Sequence, residues 1–311
     1  MHAVQLRVGL VGGGPWAWTV HAPTLANHPR TQLAGVWTRR AEIAGELAAA
    51  FGTRAYTDLD TLIADVEAVA FAVPPAVQGE LALRAAAAGR HLICEKPVAE
   101  TLPAARALVE QVRVSGVVTS VVLTLRYDDA VRAWLSELPD PPAAVDTVGL
   151  ARWLSGALLG GPFAASQWRA ERGALLDIGP HVFDLLDTAL GAIDDVEWAH
   201  HAEPDLWRVG LRHAGGARST STLSLRVPVD PSEIEFLVVG GAGRHRFAGR
   251  AADAPACYAR LLDEFTAAIA GKGSVPTLDV ARGLRLQEIV DAAQRAAGQL
   301  ADAEPGWPLR P

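Results

Sequence analysis

A turn of three consecutive glycines, Gly12-Gly13-Gly14, constrains the fold of this chain more than any other feature. It directly follows a short apolar run, Leu6 to Val11, and Pro15 after it is well placed to begin a helix. With Ala17, the glycines fit the pattern G-x-G-x-x-A, which permits a tight turn and lets a pyrophosphate approach the backbone closely. Taken alone, the pattern is equally that of a glycine-rich turn without a ligand.

Strand-like and helix-like segments alternate up to about residue 124. The predicted strands are 6–11, 31–37, 68–73, 91–94 and 117–123, and the predicted helices are 41–51, 77–88 and 102–114. The strands are apolar on both faces, which is typical of a parallel sheet covered by helices. We therefore predict an α/β, Rossmann-type doubly wound domain over residues 1–124, whose glycine turn binds a dinucleotide.

The pattern changes to short alternating runs punctuated by Gly and Pro from residue 125 onward. This change predicts an α+β domain with a mostly antiparallel, open sheet over residues 125–311. Helices are expected at 176–190, 258–270 and 280–300, of which the last ones can pack back on the first domain.

Composition excludes several classes of protein. The net charge is −7 without any basic block, which argues against nucleic acid as a ligand. No apolar run is long enough to span a membrane, and residues 1–5 lack the features of a signal peptide, so we expect a cytoplasmic location. Cys94 and Cys257 are too few for a disulfide framework and are expected to be reduced thiols.

The end of the second predicted strand bears on the choice of cofactor. Thr38-Arg39-Arg40 follows it, without the carboxylate that usually binds the ribose 2′-hydroxyl of NAD. A hydroxyl and two guanidinium groups suit a 2′-phosphate instead, since Arg pairs with phosphate in a fork. NADP(H) is therefore the predicted preference, with NAD(H) possible. In the alternative interpretation, Arg39 and Arg40 simply begin a solvated helix.

A second set of polar residues, Glu95-Lys96-Pro97, follows the fourth predicted strand. Ligands of parallel sheets bind beyond the carboxyl ends of the strands, so Lys96 is placed to meet a substrate oxygen near a nicotinamide. The alternative is a surface ion pair.

A third set combines Asp177, His181 and Asp184 at helical spacing, which places them on one face if the segment is helical. Pro180 indicates that the regular helix begins near it, with Asp177 just before the first turn. A carboxylate beside an imidazole can act as an acid–base unit, because the carboxylate fixes the tautomer. Alternatively, Asp177 caps the helix and His181 is structural.

Together these segments resemble the Gfo/Idh/MocA oxidoreductase family over nearly the whole chain. The resemblance is carried by the glycine turn, His21-Ala22-Pro23-Thr24-Leu25, Val73-Pro74-Pro75, Glu95-Lys96-Pro97, Leu125-Arg126-Tyr127, Trp168-Arg169, Asp177-x-Gly179-x-His181-x-x-Asp184 and Pro276-x-x-Asp279. The order and spacing of E-K-P and D-x-G-x-H make the match specific.

The resemblance implies hydride transfer between a nicotinamide and a hydroxyl or carbonyl carbon of a small molecule such as a sugar or polyol. By this resemblance, Lys96 orients the reacting oxygen, His181 moves its proton and Asp177 supports His181. The implied cofactor contacts come from Gly12, Gly14, Pro15, Trp16, Thr38, Arg39, Arg40, Val73, Pro74, Glu95 and Lys96. The implied substrate contacts come from Arg126, Trp168 and Arg172, and no metal site is predicted.

Two residues depart from the family pattern: Gln78 stands where the family often has His, and Arg172 replaces a usual glycine. Gln78 is therefore expected to change the cofactor's contacts, and Arg172 to narrow the cleft or meet an anionic group. The family's open sheet implies a homodimer or homotetramer. Two other functions remain open, namely glycoside cleavage with transient use of the cofactor, and a non-enzymatic NADP-binding sensor.

Overall fold

The computed structural model describes residues 5–141, 143–160, 167–249, 253–274 and 276–302. The chain divides into two compact units. The first comprises Met1–Asp128 and Ala252–Arg285, and the second comprises Asp129–Ala251 and Leu286–Pro311. The domain boundary at residue 124 stays a prediction. Among the described helices, none has the length and apolar character needed to cross a membrane.

The first unit contains a six-stranded parallel sheet. Its strands are β1 (Leu6–Val11), β2 (Thr31–Trp37), β3 (Arg54–Tyr56), β4 (Ala68–Phe71), β5 (His91–Cys94) and β6 (Thr119–Val121). They lie in the order β3-β2-β1-β4-β5-β6, and each neighbouring pair is parallel. The order reverses direction at β1, so β1 and β4 flank the crevice where doubly wound sheets bind ligands. This confirms the predicted fold class.

The helices of this unit connect successive strands. They are α1 (Ala22–Asn27), α2 (Ala41–Phe51), α3 (Leu59–Asp65), α4 (Pro75–Ala87) and α5 (Leu102–Ser115), and a π-helical turn at Ala17–His21 precedes α1. Every residue of β4 is buried, as expected for a strand covered on both faces. Cys94 at the end of β5 is a buried free thiol, and burial raises its pKa, so it stays protonated.

The second unit contains a six-stranded mixed sheet. Its strands are β7 (Val148–Leu154), β8 (Ile193–Ala202), β9 (Leu206–His213), β10 (Arg218–Ser224), β11 (Glu233–Gly240) and β12 (Gly243–Ala248). Their order is β12-β11-β7-β10-β9-β8, and only the β7–β10 pair is parallel among these strands. The prediction of a mostly antiparallel sheet is therefore confirmed. Along β7, exposed and buried side chains alternate, so one face of the strand is packed and the other is open.

Helices α6 (Asp129–Ser136), α7 (Gln167–Asp177) and α8 (Gly179–Leu190) also belong to the second unit. The helix predicted at 176–190 corresponds to α8, which starts three residues later than expected and ends at Leu190. Helix α7 before it was not predicted. Gly173 has a left-handed φ of 66° and kinks α7, and α8 begins separately with Pro180 in its first turn. Two elements of the first unit, β3 and α3, were not predicted, because a three-residue strand and a one- to two-turn helix carry little periodic signal.

Two helices follow the second sheet, α9 (Ala254–Ile269) and α10 (Val280–Asp302). Helix α9 packs against α1 and β6 within the first unit. The segment before α10 bonds to β6: Val121 N–H donates to the Leu278 carbonyl at 2.6 Å, and Val280 N–H donates to Thr119 Oγ1 at 3.2 Å. Helix α9 and the beginning of α10, up to Arg285, therefore belong to the first unit.

Candidate functional site

The glycine turn lies between β1 and the π-helical turn of the first unit. Gly12 has a φ of 132°, and its N–H donates to the Trp37 carbonyl at 3.0 Å. A Cβ on Gly12 would lie 2.3 Å from the Ala72 carbonyl oxygen, and one on Gly13 would lie 2.4 Å from Ile43 Cγ2. Gly12 is therefore required by the backbone beside it, whereas a side chain on residue 13 would have to displace the side chain of Ile43.

Gly14 differs from its two neighbours. A Cβ on Gly14 would meet no protein atom within 4 Å, and its φ is not positive. Packing and backbone strain therefore do not explain this glycine, and the space beside it lets a ligand approach the backbone. Pro15 and Trp16 begin the helical segment that follows, so the turn has the strand–glycine–helix form that fits the pyrophosphate of a dinucleotide.

Two loops that carry predicted cofactor-binding residues, one with Val73 and one with Thr38, lie beside this turn. A Cβ on Gly12 would lie 3.2 Å from Val73 Cγ1, and one on Gly13 would lie 3.2 Å from Thr38 Cγ2. Pro74, next to Val73, occupies the position that precedes α4. The structure thus brings the ends of β1, β2 and β4 together at one edge of the sheet.

The basic residues after β2 are solvent-accessible. Thr38 Oγ1 accepts a hydrogen bond from Arg40 N–H at 3.0 Å, which shapes the turn into α2. Arg39 and Arg40 are exposed, and neither forms an ion pair within the described part of the chain. Two guanidinium groups are thus available beside the glycine turn.

The Glu95-Lys96-Pro97 segment follows β5 and contains a cis Lys96–Pro97 peptide. The side chain of Gln78, in α4, is completely buried and holds this segment. Its Oε1 accepts from Glu95 N–H at 2.8 Å, and its Nε2 donates to the carbonyls of Glu95, Pro97 and Val98 at 2.7, 3.1 and 3.1 Å. Gln78 therefore fixes the backbone on both sides of Lys96, a role that sequence reasoning did not predict.

The Glu95 carboxylate links the same segment to the helix after the glycine turn. Its Oε1 accepts from Trp16 Nε1 at 2.7 Å and lies 2.9 Å from Nε2 of the buried His21. The His21 side chain has no exposure to solvent, so this contact of Glu95 lies inside the first unit, whereas the roles predicted for Lys96 stay predictions. His21 belongs to the quoted His21-Ala22-Pro23 motif, whose role the sequence did not indicate.

Asp177 and His181 lie in the second unit, at the end of α7 and in the first turn of α8. Both are buried, and the rings of His181 and Trp153 pack with their centroids 5.7 Å apart. Asp177 Oδ2 accepts from Arg169 Nε at 3.0 Å. The interpretation of Asp177 as a helix cap is wrong, because Ile178 holds that position and no side chain caps the helix.

The three predicted substrate residues lie in different elements. Arg126 is half-buried in a 3₁₀ turn, Thr124–Tyr127, of the first unit. Trp168 is half-buried and Arg172 is exposed, both in α7 before its kink. Their roles stay predictions.

The fold and the turn define a Rossmann-type dinucleotide-binding unit followed by an α+β unit. Residues 6–123 match the family model GFO_IDH_MocA, described as an oxidoreductase family with an NAD-binding Rossmann fold. The match supports the resemblance predicted from the sequence over these residues, which form most of the first unit.

The chain is also similar to individual members of this group. It is 31% identical over 193 residues to a dTDP-3,4-didehydro-2,6-dideoxy-alpha-D-glucose 3-reductase of Streptomyces violaceoruber, covering 60% of this chain and 55% of the relative. It is 29% identical over 216 residues to a levoglucosan dehydrogenase of Pseudarthrobacter phenanthrenivorans, covering 62% and 53%. The chain therefore spans about half the length of these relatives.

A solved structure shares the fold over both units. GenD2 from gentamicin A biosynthesis, in complex with NAD, superposes with a TM-score of 0.82 at 23% identity, covering 96% of this chain and 95% of that one. At this identity the likeness concerns the fold.

Proposed function

We propose that this protein is an NAD(P)-dependent oxidoreductase that acts on a CH–OH or carbonyl group of a sugar or a related polyol. The open side of the glycine turn at Gly14 is the observation that carries the proposal, because no protein contact accounts for that glycine. The names of the two relatives, a dTDP-sugar reductase and a levoglucosan dehydrogenase, support the substrate class.

The resemblance supplies the proposed roles of the chain's own side chains. When bound, a nicotinamide ring gives or takes a hydride at its C4 carbon. The Lys96 ammonium donates a hydrogen bond to the reacting oxygen and stabilises negative charge there. His181 takes up or releases the hydroxyl proton, and Asp177, whose charge is compensated by Arg169, supports His181.

A screen for oxidation and reduction tests the proposal directly. The full chain is incubated with NAD(H) or NADP(H) and a panel of sugars, inositols, keto-sugars and nucleotide-linked sugars, and absorbance of the reduced nicotinamide is followed. We expect stoichiometric change with at least one sugar-type compound. Cleavage of a glycoside without net change in absorbance would favour the glycoside-cleaving alternative, whereas tight cofactor binding without any turnover would favour a sensor.

The exposed pair Arg39 and Arg40 supports a preference for NADP(H) over NAD(H). Both lie after Thr38 at the end of β2, where no carboxylate is present to bind or repel the 2′ substituent. Guanidinium groups form charge-assisted hydrogen bonds with a phosphate, each pair contributing more than a neutral hydrogen bond.

Removing both guanidinium groups, in the variant Arg39→Ala with Arg40→Ala, is therefore expected to weaken NADP(H) binding by about tenfold or more. NAD(H) binding is expected to change less than twofold, because the lost contacts concern only the 2′-phosphate. Titration calorimetry with both cofactors measures the two constants, and Arg54→Ala, an exposed arginine in β3, is the control. Equal loss for both cofactors, or tighter NAD(H) binding by the wild type, would contradict the preference.

The open face of the second unit's sheet supports the proposed homo-oligomer. Val148 and Leu150 in β7 are 48% and 44% exposed, and Val239, directly opposite Val148 in β11, is 40% exposed. Charged residues border these side chains, with Arg152 paired to Glu233 and Glu235. Apolar patches with a polar border are typical of subunit interfaces.

Leu150→Lys is therefore expected to weaken self-association by about tenfold or more, since it places a charge in the apolar patch. Sedimentation velocity over a dilution series measures the association constant. Val114→Lys, which changes another exposed apolar residue, on α5 of the first unit, is the control and is expected to leave association unchanged. A monomeric wild type, or equal association of both variants, would show that this face is not the interface.

A further inference from the structure

A buried carboxylate outside the family motifs lies beside the kink of α7. Asp205, in the turn between β8 and β9, is only 3% exposed. Its Oδ1 accepts from Ala174 N–H at 2.8 Å, and its Oδ2 accepts from Leu225 N–H at 2.9 Å. Each carboxylate oxygen thus receives a backbone N–H, one from α7 and one from the residue after β10.

Gly173 and Asp205 are complementary in shape. Gly173 has the left-handed φ of 66° that kinks α7, and a Cβ on it would lie 2.4 Å from Asp205 Oδ1. The carboxylate therefore occupies the space that a side chain on residue 173 would need. The kink and the carboxylate stabilise each other, because the next residue, Ala174, is the one whose N–H is bound.

A continuous series of backbone hydrogen bonds leads from this point to the proposed acid–base residues. The Ala174 carbonyl accepts from Ile178 N–H at 2.9 Å, and the Ile178 carbonyl accepts from Val182 N–H at 3.2 Å. Asp177 and His181 are the residues immediately before Ile178 and Val182. Their backbone positions therefore follow from where Ala174 is held.

The kink also determines the distance between Asp177 and its ion-pair partner Arg169. Arg169 lies in α7 before Gly173, and Asp177 lies after it, yet Arg169 Nε reaches Asp177 Oδ2 at 3.0 Å. A change of direction at Gly173 would alter the distance between these two groups. Loss of the Asp205 contact is therefore transmitted to the Asp177 carboxylate as well as to the backbone of His181.

From this geometry we infer that Asp205 is a positioning residue for Asp177 and His181, an inference that rests on the proposed function. Both of its oxygens accept backbone N–H groups, so the role that we assign to Asp205 is indirect. It acts by holding Ala174 and the kink at Gly173. The first unit, with the glycine turn, is not involved in these contacts.

The variant Asp205→Asn keeps the shape of the side chain but replaces one acceptor oxygen with an NH₂ group, which cannot accept from a backbone N–H. We expect kcat to fall by about tenfold or more, because small displacements of reacting groups have large effects on rate. The dissociation constant of the cofactor is expected to change less than twofold. Asp253→Asn is the matched control, since the Asp253 carboxylate accepts from Ala256 N–H at the start of α9 in the first unit.

An NMR titration separates this inference from the proposed reaction. The full chain is labelled with ¹³C at histidine, and the His181 signal is assigned by its loss in His181→Ala. We expect Asp205→Asn to change the chemical shift and the titration of His181, and Asp253→Asn to leave both unchanged. If the wild type turns over no compound, the proposed function fails, whereas the His181 signal still tests Asp205.

Substitution of Gly173 is an independent way to disturb the contact between Asp205 and Ala174. Gly173→Ala is expected to reproduce the effects of Asp205→Asn, because its Cβ displaces Asp205 Oδ1. Gly243→Ala, at another glycine with a positive φ, the first residue of β12, is the control for backbone strain alone. A lower melting temperature for Asp205→Asn with unchanged kcat and an unchanged His181 signal would overturn the inference and leave Asp205 a purely structural residue.

Discussion

Replacing Lys96 by Met is expected to lower kcat by about two to four orders of magnitude, the usual range for loss of a positioned acid–base or charge-stabilising group. The substitution keeps the apolar stem of the side chain and removes only the ammonium. Gln78 binds the carbonyls of Glu95, Pro97 and Val98 and the N–H of Glu95, all backbone groups, so the segment retains its conformation in Lys96→Met. The loss is therefore expected in turnover and not in folding.

His181→Ala, in the second unit, is also expected to lower turnover without lowering cofactor affinity. Its side chain is buried beside Trp153, so its removal costs some stability as well as the proton-transferring imidazole. We expect a fall in kcat of similar size to that of Lys96→Met, with cofactor affinity within about twofold of the wild type, since the glycine turn lies in the first unit.

Single-turnover kinetics and cofactor titration together measure both effects. Lys272→Met, which changes an exposed lysine after α9, and His200→Ala, which changes an exposed histidine in β8, are the matched controls. Parallel loss of cofactor binding and turnover in Lys96→Met would refute the assigned role. Full activity of His181→Ala would make that histidine structural, the alternative that its burial also allows.

Substitutions in the glycine turn are expected to have the second large effect, on stability and on cofactor binding. Gly12 and Gly14 are required for different reasons. Gly12→Ala places a Cβ 2.3 Å from the Ala72 carbonyl oxygen at a φ of 132°. The conformation alone costs about 1–3 kcal/mol for a residue other than glycine, and a backbone oxygen cannot rotate away. We expect a clearly lower melting temperature and loss of cofactor binding together.

Gly14→Ala is expected to separate these two properties. Its Cβ meets no protein atom within 4 Å, and the backbone there is not left-handed, so folding and melting temperature stay close to the wild type. The methyl group nevertheless lies where the ligand would approach the turn, and the dissociation constant of the cofactor is expected to rise by about tenfold or more.

Thermal unfolding and cofactor titration of the two variants side by side distinguish packing from binding. Gly45→Ala, at an α2 glycine whose Cβ would also meet nothing within 4 Å, is the control for both measurements. Unchanged cofactor affinity in Gly14→Ala would show that the open side of the turn is not the binding surface. It would also remove the main support for the proposed function.

Much of the first unit could be predicted from the sequence, because its signals are local. The buried strands are short apolar runs, the helices have helical spacing, and the glycine turn has its own pattern, so β1, β2, β4 and β5 were placed nearly to the residue. The elements that escaped prediction, β3 and α3, are too short for periodicity to show. The kink at Gly173 escaped because α7 itself was not predicted, since the residues before Gly173 are mostly polar and carry little apolar periodicity.

For the candidate site, the sequence names candidate residues but does not show their contacts. Lys96, Asp177 and His181 stand in short motifs whose order along the chain is visible in the sequence. Gln78, Trp16 and His21 contact the Glu95-Lys96-Pro97 segment from 17 to 79 positions away in the chain, and no local pattern reports such a contact. The pairing of Arg169 with Asp177 depends on the direction that α7 takes after its kink.

The sequence by itself determined the class of fold, the position of the nucleotide-binding turn and the candidates for the residues of a reaction, since each follows from a pattern of neighbouring residues. Only the tertiary structure decided why Gly12 and Gly14 differ, what Glu95 and Gln78 hold, and that Asp205 supports the kink before Asp177. These are contacts between residues far apart in the chain, and they arise when the strands and helices pack, because packing determines which buried donor meets which acceptor.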